Sequence, residues 1–149
     1  MGKINNIKKY LFISVKPEFA KKLVDKEKNI ELRKLKPHVK EGDYVIIYAS
    51  APIKCVIGFG VIKRIIETTP IKMWNNYSAL LGIDKLRFDS YYKDKDKAIG
   101  IEIENIKLVP YIHLNDLRQI DANFHPPQTY RYVSNADICR TILEFIKRI

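Results

Sequence analysis

Apolar and polar positions alternate with two different periods along this chain, and the switches between them mark its elements. Tyr10-Leu11-Phe12-Ile13-Ser14-Val15 is a compact apolar run that predicts a buried strand, ended by Lys16-Pro17. Pro17 suits a first helical turn, Glu18 suits the N-terminal dipole, and Phe19, Ala20, Leu23 and Val24 recur at helical spacing. A short amphipathic helix is therefore predicted from Pro17 to about Glu27. The period then falls to two. Ile30 and Leu32 alternate with Asn29, Glu31 and Arg33, which predicts a half-buried strand with the apolar pair inward. Glu31 and Arg33 would share the opposite face, roughly 6–7 Å apart. Lys28 lies just before this strand, where a turn can swing its ammonium to the same face.

After a turn at Glu41-Gly42-Asp43, Tyr44 to Ala49 predicts a strand that Ser50-Ala51-Pro52 breaks. Cys55 to Ile66 is a long β-branched run whose Gly58 and Gly60 lie on one face, permitting sharp coiling or the close approach of another backbone. Thr69 caps a second helix with Pro70 in its first turn, Ile71, Trp74, Ser78 and Leu81 along one face, and Gly82 at its end. A short helix from Asp84 to Tyr92 follows. Ala98 to Leu108 alternates as a strand, which Pro110 should end; His113 to Ile120 holds a helical turn. His125-Pro126-Pro127-Gln128 must be extended, Thr129 to Val133 predicts a last strand, and Asn135 caps a terminal helix over about 135–148. The order β-α-β-β-β-α-α-β-β-α, with its long glycine-bearing strand, predicts an α+β fold: a small mixed β-barrel with flanking helices, forming one domain over residues 1–149.

Composition supports that reading. The 149 residues are 46% hydrophobic and 30% charged, as in an ordinary globular chain. No apolar run approaches the ~20 residues that span a bilayer, and Met1 to Lys9 lacks the apolar core of a signal peptide, so a cytoplasmic protein without membrane contact is expected. Cys55 and Cys139 read as small core residues, and His38, His113 and His125 are scattered without zinc spacing, so no metal or cofactor is expected. The net charge is +10, from 27 Lys plus Arg against 17 Asp plus Glu. That surplus favours a polyanionic partner such as RNA or DNA, although a lysine-rich composition also arises without one.

The candidate chemistry gathers at Lys28, Glu31 and Arg33. A carboxylate between two cations lowers their repulsion and fixes their direction, which makes a pre-oriented site for a phosphate, a carbonyl or a base edge. The same pattern also fits a solvated strand edge with a surface ion pair. Tyr48, Trp74, Tyr91, Tyr92, Tyr130 and Tyr132 are rings on which bases could stack, or core residues. Ser50 and Thr129 could hydrogen-bond a base edge, or serve turn and strand chemistry.

The stretch Lys26-Glu27-Lys28-Asn29-Ile30-Glu31-Leu32-Arg33 resembles the G-x-K-x-x-E-x-R motif of the ASCH domain family, within the PUA-like superfamily. Lys28, Glu31 and Arg33 match, and Lys26 replaces the glycine. Ile13-Ser14-Val15-Lys16-Pro17, Gly42-Asp43, Ile47-Tyr48-Ala49-Ser50, Val56-Ile57-Gly58 and Pro126-Pro127-Gln128-Thr129-Tyr130 follow in register, so the resemblance covers roughly residues 10–133. It implies a PUA-like barrel with a cleft beside the motif and an RNA or nucleotide ligand, in translation- or transcription-linked roles. Lys28, Glu31, Arg33, Tyr48, Ser50, Trp74, Thr129 and Tyr130 would then be the binding residues. Some small members resemble amidohydrolases acting on N4-acetylcytidine. In that alternative Lys28 and Glu31 would be catalytic, completed by an acid among Glu67, Asp84, Glu102 and Glu104 that the pattern does not single out.

Overall fold

The computed structural model describes residues 8–128, 130–132, 140 and 142–144, for residues 130–132 in backbone only. The elements run β1 (Tyr10–Val15), α1 (Pro17–Val24), β2 (Ile30–Arg33), β3 (Tyr44–Ala49), β4 (Cys55–Thr68), α2 (Pro70–Leu81), α3 (Lys85–Tyr91), β5 (Ala98–His113), α4 (Leu114–Ile120) and β6 (Tyr130–Tyr132). The strands form one mixed sheet in the order β2-β5-β4-β3-β1-β6. Among the described residues only β1 and β3 run parallel, from Tyr10 opposite Tyr44 to Val15 opposite Ala49, and the α1–β2 passage supplies the crossover that a parallel pair needs.

Alternation along β1 and β3 builds two cores. Leu11, Ile13, Val15, Val45, Ile47 and Ala49 face one cluster with α1, while Phe12, Ile46 and Tyr48 face another with Leu114, Leu117 and Phe124. A third cluster, with Ile30, Leu32, Met73, Leu81, Phe88 and Tyr92, seats α2 and α3 on β2. The long strands β4 and β5 curl because their pairing slips at three irregularities, each of which increases local twist. The outcome is the curled, barrel-like α+β fold expected. Gly58 serves close approach: a Cβ there would lie 2.7 Å from Val24 Cγ1, so the bare backbone lets α1 settle on the sheet.

Two boundaries differ from the sequence pattern. β5 runs straight through Pro110, because the proline lies between the Leu108–Gly58 and Ile112–Val56 pairs, inside a register shift where the missing N–H removes no regular ladder bond. α1 stops at Val24 rather than near Glu27, because Lys26 turns left-handed with φ +64. Lys26 is the residue that replaces the motif's glycine, so the glycine conformation survives without the glycine. A side chain there costs about 1–2 kcal/mol. Lys26→Gly should therefore raise stability by about 1 kcal/mol, less the entropy glycine loses on folding, as read from the urea midpoint. The terminal helix anticipated over about 135–148 lies largely outside the described residues, as does Cys139; Arg140 and residues 142–144 are helical. Among the described residues no helix is long and apolar enough to cross a membrane.

Candidate functional site

The curl of the sheet brings β2 at one edge toward β1 near the other, and Arg33 bridges the two: its Nη2 donates to Ser14 O at 2.9 Å. The second Nη2 hydrogen goes to Glu31 Oε2 at 2.6 Å. Glu31 Oε1 lies 3.7 Å from Lys28 Nζ. The carboxylate thus stands between two cations, as the alternation of Ile30, Glu31, Leu32 and Arg33 implied. What the pattern did not show is depth. Lys28 is 2% exposed and Glu31 7%, so the solvated-edge alternative fails. Ile30 is fully buried beside Gly100 and Met73, and the strand is covered on both faces.

Helix α2 fixes the approach to this strand. Asn29 N donates to Leu80 O at 2.9 Å, Lys28 Nζ donates to Leu81 O, and Lys22 Nζ donates to Gly82 O at 3.0 Å. The ammonium of Lys28 also lies 5.3 Å from the centre of the Phe19 ring. Burial pushes the Lys28 ammonium below the ordinary lysine range; Glu31 opposes this shift, and Arg33 and Lys22 reinforce it. Across the interval between the depressed value and the ordinary one, the unfolded chain binds a proton that the folded chain has lost. Folding stability should therefore rise with pH there. Lys28→Met should remove that slope, and urea unfolding of both proteins from neutral to alkaline pH measures the difference.

A cleft of about 290 Å³ opens over the cluster. Lys28, Glu31, Leu32 and Arg33 lie along it, Phe19 and Lys16 come from the α1 side, Ile83 and Tyr91 from the α3 side, and Ser14 and Gln128 complete it. Tyr91 is half-buried, with Lys34 Nζ 4.4 Å from its ring centre. Arg87 ties the helical walls together, donating to both carboxylate oxygens of Glu18 at 2.9 and 2.8 Å while its guanidinium lies 5.2 Å from the Phe19 ring. The cleft therefore pairs two aromatic rings with a buried donor–acceptor set.

Of the residues singled out in the sequence, Lys28, Glu31 and Arg33 come together here. Tyr48 does not: it is 3% exposed in the second cluster, 5.6 Å from Phe12, on the sheet face opposite the one that Glu31 and Arg33 share with Ile101. Ser50 is a turn residue whose N–H donates to Val15 O, and Trp74 packs on Phe88 at 5.1 Å; neither borders the cleft. Tyr130 continues the sheet opposite Ile13, but its side chain and Thr129 lie outside the described residues. None of the four candidate acids borders the cleft. Glu67 pairs with Lys36 and Lys97, Asp84 caps α3, Glu102 is buried against Arg64 and Lys63, and Glu104 borders a separate cleft beside Glu102. Sequence reasoning missed Phe19, whose helical spacing reads equally as core. It also missed the contact of Cys55 Sγ with His113 Nδ1 at 3.1 Å, between ladder partners at the start of β4 and the end of β5. Burial, aided by Asp116, pushes the Cys55 thiol up, in keeping with a core role.

Known proteins bear on this geometry. Residues 9–122 match the family model described as a domain of unknown function, DUF365. An ASCH domain-containing ribonuclease of Zymomonas mobilis is 30% identical over 126 residues, 85% of each chain. The crystal structure of ASCH from Zymomonas mobilis has a TM-score of 0.86 at 27% identity, covering 91% of this chain and 94% of that one. A large ribosomal subunit protein, uL22, of Ureaplasma parvum is 33% identical over 117 residues, which are 78% of this chain and 37% of that protein. In fold alone, the chain also resembles the YTH domain of Zygosaccharomyces rouxii MRB1, solved with N6-methyladenosine RNA, at TM-score 0.55 and 14% identity over 100% of this chain and 93% of that one. With the motif cluster in place, the family model and the identity across most of both chains leave one assignment: this chain belongs to the ASCH domain family.

Proposed function

We propose that the protein binds single-stranded RNA, seats one unpaired base in the cleft between Phe19 and Tyr91, and cleaves the strand. The observation that carries the binding mode is the buried Lys28–Glu31 pair, an ammonium and a carboxylate oxygen 3.7 Å apart at the base of an aromatic-walled cleft. A planar base edge presents an adjacent donor and acceptor that match such a pair, and a base face stacks on either ring. A phosphate suits the cleft less well, because Glu31 would repel it. The phosphates instead run past the mouth, where Lys16 is exposed and Gln128 offers an amide. Arg33 is a brace in this reading: both hydrogens on its Nη2 hold Glu31 and Ser14 in place.

Cleavage rests on the 30% identity to the Zymomonas ribonuclease over 85% of both chains. The Ureaplasma ribosomal relative favours an RNA of the translation apparatus. Deacetylation of N4-acetylcytidine competes, but Glu31 is the sole acid bordering the cleft among the described residues. The deciding experiment offers the protein a single-stranded oligoribonucleotide, its DNA counterpart, an RNA duplex and N4-acetylcytidine. Binding and shortening of the single-stranded RNA alone is expected. Log affinity should fall against log salt with a slope of about −0.7 per phosphate contacted. Intact RNA and no complex at low salt would sink the proposal, and release of acetate would replace it with the hydrolase.

A further inference from the structure

We infer that Gly82 and the last turn of α2 are a positioning device that aims the Lys28 ammonium into the cleft, an inference that rests on the cleft reading above for its functional consequence. Gly82 lies outside the motif, 54 residues from Lys28 by number (82 minus 28). It has φ +62, and a Cβ built on it would lie 2.7 Å from Lys28 Cβ, 3.0 Å from Cγ and 3.2 Å from Cδ. These atoms are the stem of the lysine, not its flexible tip, so the side chain cannot step aside without leaving its path. The absence of a side chain at Gly82 therefore makes the channel through which Lys28 runs.

The helix end supplies the other half. The last carbonyls of a helix have no partner within it and carry its partial negative charge. Here Leu80 O accepts from Asn29 N, Leu81 O from Lys28 Nζ and Gly82 O from Lys22 Nζ. One helix terminus thus fixes the backbone just before β2, directs the buried ammonium and anchors the neighbouring lysine. Around Lys28 stand Phe19 and Lys22 of α1, Glu31 and Arg33 of β2 and these carbonyls of α2. The Leu81 carbonyl gives the ammonium a direct hydrogen-bond acceptor, whereas its counter-ion, the Glu31 carboxylate, lies 3.7 Å away.

Two substitutions separate turn strain from collision with Lys28. Gly82→Ala meets both, whereas Gly82→Asn tolerates the left-handed turn but still places a Cβ against the lysine stem. Three readouts apply to the full chain: melting temperature, dissociation constant for a single-stranded oligoribonucleotide, and the pH titration of the Lys28 side-chain resonance in lysine-labelled protein, assigned by Lys28→Arg. Gly82→Ala should lower stability, weaken RNA binding by about tenfold or more and displace the Lys28 titration. Gly82→Asn should regain much of the stability while binding stays weak and the titration stays displaced. Recovery of binding in step with stability, or a Lys28 titration unmoved in both variants, would overturn the inference. If the unaltered protein binds no RNA, the cleft reading falls by itself, and the resonance still decides whether Gly82 aims Lys28.

Discussion

Glu31→Ala should cost roughly 3–5 kcal/mol of folding stability, because removing the acid of a buried ion cluster leaves the Lys28 charge buried without its counter-ion. Lys28, 2% exposed, would keep the Leu81 carbonyl and the Phe19 ring but no carboxylate, and the Arg33 guanidinium would lose its 2.6 Å contact with Glu31. The two cations would then face each other across the space the carboxylate filled. A second variant should rescue the loss. Lys28→Met combined with Glu31→Gln removes the surplus buried charge while retaining a polar partner for Arg33, so the double variant should be more stable than Glu31→Ala. Urea midpoints at constant slope measure both. A loss below about 1 kcal/mol for Glu31→Ala would place the cluster with solvated surface pairs and remove the energetic case for a pre-organised site.

The particular residues explain how much of this was legible in the sequence. Period-two alternation placed Glu31 and Arg33 on one face, since strand geometry leaves no other choice. Their burial was not readable, because it depends on α2 and β5, which enclose β2 from distant parts of the chain. Pro110 misled for a related reason: a proline ends a strand only where the ladder needs an N–H at its position, and pairing with β4 fixes that need. Tyr48 shows the ambiguity of an aromatic in a strand. It could face the site or the core, and parity with Phe12 and Ile46 put it in the core. Phe19 shows the reverse, a helix residue at core spacing that borders the cleft. The glycine position of the motif was legible only as a departure. The left-handed turn at Lys26 indicates that the backbone conformation, rather than the glycine, sets the entry to the motif.

Arg33→Ala should weaken binding of single-stranded RNA by about 1.5–3 kcal/mol, the range for a charge-assisted hydrogen bond, even though Arg33 acts in this geometry as a brace. Its Nη2 holds Glu31 Oε2 and Ser14 O together, at 2.6 and 2.9 Å. Alanine frees the carboxylate to turn away from the base edge and opens the seam between β2 and β1. Arg33→Lys separates charge from geometry, because an ammonium restores the positive charge but sits one atom short of the Nη2 position from which both acceptors are reached. The lysine variant should therefore bind nearly as weakly as the alanine one. Lys28→Ala should lose a similar amount, since it removes the donor facing the base. Lys72→Ala, an exposed position on α2 away from the cleft, should change affinity far less, because it acts only through the screened general field. Titrating one labelled oligoribonucleotide into all four variants at a single salt concentration makes the comparison. Equal losses for Lys72→Ala and Arg33→Ala would mean that the +10 charge binds RNA diffusely and that the cleft reads nothing. A lysine variant that binds like the unaltered protein would mean that charge, not the placement of Nη2 between Glu31 and Ser14, is what the site requires of position 33.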